Sequence, residues 1–250
     1  MDEKHGILER FRNQQFVSIG DLRNFFSESE PGLNDATLRW RIYHLKQKDI
    51  LRPVKRGMYA IDKTEKLTFD PSFSKKLDSL NSVHLKSFVD AAYGLWTTEW
   101  LAQFMELQPT NHLIIFEIEK ELTYPLFQEL QLAKKNVFLD PDKDIIENYI
   151  LAKQNPVIVR ALQSRAPLQK TSHGKYVPAL EKILVDVFCD KDLFIAFQGS
   201  ELKNIYRNAW KEYEINLSVL TSYAGRRRRI KPILEFIKKN ITDMYQLITK

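Results

Sequence analysis

Apolar residues near the start of the chain recur at helical spacing. Ile7, Leu8 and Phe11 share one side of a short helix predicted over residues 5–13. Phe16-Val17 then enters a turn, and Ser18 is placed to cap a second helix over residues 19–27. Asp21, three residues on, completes a capping box. Glu30-Pro31-Gly32 breaks the pattern. Asn34 caps a third helix that begins at Asp35, whose carboxylate suits the positive helix end, and runs through Lys48. Two short strands follow, residues 50–54 and 58–61, around the glycine turn Lys55-Arg56-Gly57. Pro53 lacks an amide donor and suits an edge strand. Three helices followed by a hairpin make the winged helix-turn-helix pattern.

The third helix has two distinct faces. At about 100° per residue, Leu38, Ile42 and Leu45 fall in one narrow arc that must face a core. Opposite lie Ala36, Trp40, Tyr43 and Gln47, flanked by Arg39 on one side and by Thr37 and His44 on the other. Such amide, phenol, indole and guanidinium groups can meet base edges and phosphate in a major groove. The competing role for Trp40 and Tyr43 is packing against a neighbouring domain. Lys55 and Arg56 at the hairpin tip, with Lys48 and Arg52 near its base, are placed to grip backbone phosphate.

Beyond residue 62 a polar connection leads to a short helix around residues 73–80. Residues 83–93, 112–118, 136–139 and 157–160 then read as strands, with helices over 99–107, 124–132 and 142–151. This alternation predicts an α/β domain on a mixed sheet. From Pro178, at a predicted helix start, the chain reads as helical: Leu180, Ile183, Leu184 and Val187 keep helical spacing. Residues 200–213 and 218–240 follow as two more helices, with a break at Pro232. The expected architecture is a mixed α+β, α/β chain: a winged helix-turn-helix over residues 1–66, then an α/β domain over 67–250, helical from about 178.

Composition narrows the class. Of 250 residues, 44% are hydrophobic and 28% charged, which is globular rather than disordered. The single cysteine, Cys189, excludes a disulfide framework and a cysteine-built zinc site. The first residues lack the apolar run of a leader, and no stretch approaches the ~18 apolar residues of a membrane span, so a cytoplasmic protein without a membrane partner is expected. Charge is concentrated in two islands. Residues 36–61 carry seven basic residues against Asp49, and residues 224–240 carry seven against Glu235. Each island is therefore as positive as the whole chain, at +6, and the remainder is acidic. Discrete docking of a polyanion such as double-stranded DNA is the natural reading. For the run Arg226, Arg227, Arg228 and Arg229 three roles stay open: additional DNA contact, a basic face for an acidic partner protein, or a solvated helix face.

Lys55-Arg56-Gly57-Met58-Tyr59-Ala60-Ile61 resembles the wing ending of the AbiEi-type antitoxin family of bacterial transcriptional regulators. Leu95-Trp96-Thr97-Thr98-Glu99-Trp100-Leu101, Ser164-Arg165-Ala166-Pro167-Leu168, Val177-Pro178-Ala179-Leu180-Glu181-Lys182-Ile183-Leu184-Val185-Asp186 and Tyr223-Ala224-Gly225-Arg226-Arg227 resemble segments of that family's C-terminal domain, in the expected order. The resemblance implies an operator-binding, autoregulating repressor of a type IV toxin–antitoxin operon. Its C-terminal domain would counter a nucleotidyltransferase-type toxin encoded nearby. Without such a toxin the chain would be a solitary regulator of the same architecture.

Catalytic chemistry fits less well. A nucleotidyltransferase needs Gly-Ser followed by paired aspartates, whereas Asp190-Lys191-Asp192 precedes Gly199-Ser200 here. No phosphate-binding loop or dinucleotide fingerprint is present. The alternative to a regulator is a metal-dependent nuclease or nucleotide-processing enzyme guided by the winged helix, using Asp90, Glu117 and Glu119 with Lys120. The spaced Glu-x-Lys pattern occurs at Glu201-Leu202-Lys203, which reads as a helix start. His5, His44, His84, His112 and His173 are scattered singly, so neither a metal site nor a cofactor is expected. Glu181 and Asp186 read as helix-surface carboxylates or as receivers for the arginines of the 226–229 run.

Overall fold

The computed structural model describes residues 3–11, 14, 16–47, 50–61, 66–133 and 136–249. The chain begins with α1 (Glu3–Arg10), β1 (Phe16–Ser18), α2 (Ile19–Ser29), α3 (Asp35–Gln47), β2 (Leu51–Lys55) and β3 (Met58–Ile61). Ser18 caps α2 through a full capping box, its hydroxyl accepting from the Asp21 amide while the Asp21 carboxylate accepts from the Ser18 amide. Asn34 caps α3, its side-chain oxygen accepting from the Thr37 amide at 2.8 Å. Phe16-Val17 is a strand rather than the expected turn: β1 pairs antiparallel with β3, which lies between β1 and β2. Pro53 thus occupies an edge strand, where its missing N–H costs no ladder bond. Gly57, at φ +77°, makes the hairpin turn. Leu38, Ile42 and Leu45 are buried against Ile7, Leu22 and Phe26.

The second part opens with α4 (Lys75–Ser87), which overturns the strand expected over residues 83–93. Leu77, Leu80, Asn81 and His84 are buried along one side of α4 at helical spacing, so Val83 and Leu85 belong to a helix. The strand begins later, at β4 (Tyr93–Thr97). A 3-10 segment, Thr98–Phe104, replaces the helix expected over 99–107, with Thr97 capping it. Next come β5 (Ile114–Ile118), α5 (Thr123–Ala133), β6 (Val137–Leu139), α6 (Lys143–Ile145) running into a π turn (Ile146–Ile150), and β7 (Val157–Ala161). The sheet order is β4-β5-β7-β6, antiparallel between β4 and β5 and parallel elsewhere. Alternate residues feed two different cores, as the pleat requires. Ile114, Phe116, Val157 and Val159 pack with α4 and α5, whereas Ile115 and Ile158 join the larger core of the C-terminal helices.

A two-stranded hairpin follows, β8 (Leu168–Lys170) with β9 (Tyr176–Pro178). Pro178 therefore ends a strand, and α7 (Leu180–Cys189) starts two residues beyond it. After α7 come α8 (Ser200–Glu212), α9 (Leu217–Arg226), α10 (Ile230–Asn240) and α11 (Thr242–Thr249). The helical stretch over 218–240 breaks at Arg228 rather than at Pro232. Arg228 is left-handed at φ +54°, its amide bonds the Gly225 carbonyl, and the Arg229 amide bonds the Ala224 carbonyl. That is a Schellman ending, and Pro232 falls in the first turn of α10, where proline is tolerated. Among the described residues no helix is long and apolar enough to cross a membrane.

The two parts are joined by backbone as well as side chains. Leu67, at the expected boundary, pairs with Tyr213, donating to the Glu212 carbonyl and accepting from the Glu214 amide. The hairpin tip rests on the C-terminal helices, with the Arg56 amide donating to Ser218 Oγ at 3.3 Å.

Candidate nucleic-acid interface and a buried charge cluster

Helix α3 is held by its apolar stripe and presents the opposite side outward. Trp40 is 61% exposed and Tyr43 55%, so neither packs on the neighbouring domain. Both rings gather around His44, with centroids 4.1 Å from Trp40 and 5.7 Å from Tyr43. Arg39 and Gln47 are exposed on the same side, and Thr37 is half-buried at the first turn. The sequence-derived face is thus present as one surface. Lys48 lies outside the described residues.

The basic residues of the hairpin are arranged differently from a free tip. Lys55 Nζ donates to the Ile248 carbonyl in α11 at 3.1 Å, and desolvation lowers its pKa. Arg52 is engaged by Glu214 at 2.8 Å and by the Lys66 carbonyl at 3.0 Å. Arg56 is the exposed basic side chain at the tip. Lys55 and Arg52 therefore tie the hairpin to the C-terminal helices, where sequence reasoning places them on phosphate. No local signal in the sequence marks those long-range partners.

The arginine run divides in the same way. Arg227 turns inward, to Asp186 at 2.6 Å and Asp190 at 2.5 Å. Arg226 bonds the Arg165 carbonyl. Arg228 and Arg229 are exposed. The option that Asp186 receives an arginine from this run is the one the structure adopts, whereas Glu181 receives none.

Arg227 belongs to a cluster under the sheet. Lys182 Nζ reaches Glu117 at 2.5 Å and Asp186 at 2.6 Å. Arg160, opposite Glu117 in the parallel register of β5 and β7, contacts Glu117 at 3.0 Å, Asp190 at 2.7 Å and Asp186 at 3.4 Å. Tyr223 donates its hydroxyl to Asp186 at 2.9 Å. Three cations and three carboxylates cancel, which is what makes such burial tolerable. Burial raises the Asp186 carboxyl, but Lys182, Arg160 and Arg227 outweigh it and hold the group below its ordinary value. Both oxygens of Glu117 and both of Asp186 are occupied by cations or by Tyr223, so the cluster locks β5, β7, α7 and α9 together. Of the other carboxylates weighed for metal chemistry, Glu119 accepts from the Ala92 amide and Asp90 is exposed on a turn. Among the described residues no three His, Cys, Asp or Glu side chains converge to hold a metal ion.

Residues 37–243 match the family model described as "Family of unknown function (DUF6577)", and the chain belongs to that family. The match runs from the first turn of α3 into α11, so the outward helix, the hairpin and the C-terminal part are all within it. No curated protein matches the chain.

Proposed function

We propose that the chain is a DNA-binding transcriptional repressor that reads its operator with the outward face of α3. The observation that carries this reading is the exposure of Trp40 and Tyr43, 61% and 55%, beside Arg39 and Gln47. Two large aromatic rings left in water on a helix whose other stripe is fully committed form a surface suited to a partner. Its mix of π faces, guanidinium and amide suits base edges and the sugar-phosphate wall. Three helices closed by a small antiparallel sheet, with the third helix outward, support a winged helix-turn-helix unit.

The proposal extends to an autoregulating antitoxin of the AbiEi type, its C-terminal domain engaging a nucleotidyltransferase-type toxin. Support comes from the order of the resembling segments and from where they meet. The segment ending at Asp186 supplies Lys182 and Asp186, and the segment starting at Tyr223 supplies Tyr223 and Arg227. Arg165, from a third such segment, accepts from Arg226.

Fluorescence anisotropy with duplexes from the chain's own upstream region, against scrambled duplexes, tests the DNA reading. With about three phosphates neutralised, log K falls against log salt with a slope of roughly −3. Absence of binding at low salt, or a slope near zero, overturns it. Co-elution with the product of the adjacent gene tests the partner half.

A further inference from the structure

A cavity of about 460 Å³ lies where the N-terminal unit meets the C-terminal helices. The end of α3 and the edge strand β2 form one side, and the start of α7 with the α8–α9 connection forms the other. That volume is in the range of small-molecule sites. Phe16, Phe69 and Trp210 contribute apolar lining, and Glu181 lines the same space.

Glu181 differs from every other buried carboxylate described. Glu117 and Asp186 each take cations on both sides, and Glu201 accepts backbone amides on both oxygens. Glu181 is only 8% exposed, yet no cation pairs with it among the described residues. Its Oε1 accepts from the Asn216 amide at 2.6 Å. Of the cations lining the cavity, Lys66 lies 4.0 Å above the Trp210 ring, Arg52 pairs with Glu214, and Lys46 is exposed with no ion pair to Glu181. A largely buried carboxylate without a counterion is costly, and a cationic ligand that pairs with it recovers part of that cost.

We infer that this cavity binds a small planar ligand whose edge presents two adjacent N–H donors, as an amidinium or guanidinium does, to Glu181. Phe16, Phe69 and Trp210 supply apolar lining for its ring, and the paired donors match the fork of a carboxylate. Burial also pushes the Glu181 carboxyl up, opposed by the backbone amides of Asn216 and of its own residue, as expected of an acid lacking a cation. Lys46 and Gln47, at the end of α3, line the same cavity, so an occupant touches the helix proposed to read DNA. That coupling rests on the DNA-binding reading, whereas the ligand site does not.

Calorimetric titration of the full chain with benzamidine and with its neutral analogue benzamide tests the site directly. A charge-assisted hydrogen bond makes benzamidine the tighter ligand by about tenfold or more. Glu181→Gln, which keeps the acceptor for Asn216, abolishes the preference. Thr68→Trp, at an exposed lining position, blocks both probes and serves if the first variant fails to fold. Equal affinity for the two probes, no binding of either, or a preference that survives either substitution overturns the site. With benzamidine bound, DNA affinity changes several-fold. Unchanged DNA affinity overturns the coupling alone, and failure of the untreated chain to bind DNA overturns the earlier reading while leaving the ligand site standing.

Discussion

Lys182 Nζ stands 2.5 Å from a carboxylate oxygen of Glu117, and neither side chain is more than 1% exposed. Lys182 also holds Asp186, so one ammonium neutralises two buried carboxylates contributed by a strand and by its own helix. Lys182→Met fits the same space but strands negative charge in the core. The expected cost is about 3–5 kcal/mol, read from the denaturant midpoint. Adding Glu117→Gln removes part of the stranded charge, so the double variant is less destabilised than the sum of the singles. A loss under about 1 kcal/mol for Lys182→Met means that water reaches the cluster.

The same cluster sets an acid limit. Despite burial, Lys182, Arg160 and Arg227 hold the Asp186 carboxyl below its ordinary 3.8. It therefore binds its proton more weakly folded than unfolded. Its stabilising contribution is complete above about pH 3.8 and is lost as pH falls through the lower folded value. Asp186→Asn is expected to be less stable than the wild type at neutral pH, with a gap that narrows below pH 3.8. Unfolding midpoints measured across that range check this, and a gap that stays constant into acid sinks the assignment.

Arg228 offers a stabilising change. It holds φ +54° at the Schellman ending of α9, a conformation that costs an L-residue but not glycine. Its side chain is exposed, so Arg228→Gly removes strain without breaking the cluster held by Arg227. A gain of about 1 kcal/mol is expected in equilibrium unfolding. A loss of similar size means that the arginine side chain makes an interaction worth more than the strain.

Much of this was legible along the chain, and the failures share a cause. Ser18 with Asp21, Asn34, the stripe of Leu38, Ile42 and Leu45, and the glycine turn are local signals, and each appears in the structure. Val83-His84-Leu85 misled because a short apolar run has the same pattern in a strand as in a buried helix turn. β1, β8 and β9 have three residues each, too few to show a period. Lys55, Arg52 and Arg227 carry charge that sequence can count but whose partners lie 193, 162 and 41 residues away. The Glu181 cavity was equally hidden, because a first-turn glutamate is normally a solvated helix-end charge.

Lys55 and Arg56, adjacent in sequence, are expected to respond differently. Lys55→Ala removes the bond to Ile248, so amide exchange in α11 accelerates while the salt slope of DNA binding changes little. Arg56→Ala leaves α11 protected and flattens the slope by about one unit, the share of a single phosphate contact. Hydrogen exchange and anisotropy on the two variants separate the roles. The reverse assignment, with Lys55 carrying the slope, means that the hairpin leaves α11 when DNA binds.

The outward face of α3 carries the last prediction. Arg39, Trp40, Tyr43 and Gln47 are exposed, so alanine at any of them changes folding stability by within about 0.5 kcal/mol. Their effects on DNA differ by chemistry. Arg39 and Gln47 bear the donors that distinguish guanine and adenine edges, so each alanine narrows the gap between operator and random duplex by about 1–3 kcal/mol. Trp40 and Tyr43 offer ring faces that meet sugar and base without a donor pattern, so their alanines weaken both duplexes together. Arg228 and Arg229 are remote in sequence and sit at the α9–α10 junction, so alanines there leave the gap intact. Competition anisotropy with operator and random duplexes distinguishes these outcomes. If the Arg228 and Arg229 variants lose discrimination while the Arg39 and Gln47 variants keep it, the reading surface lies on the C-terminal helices and α3 only docks.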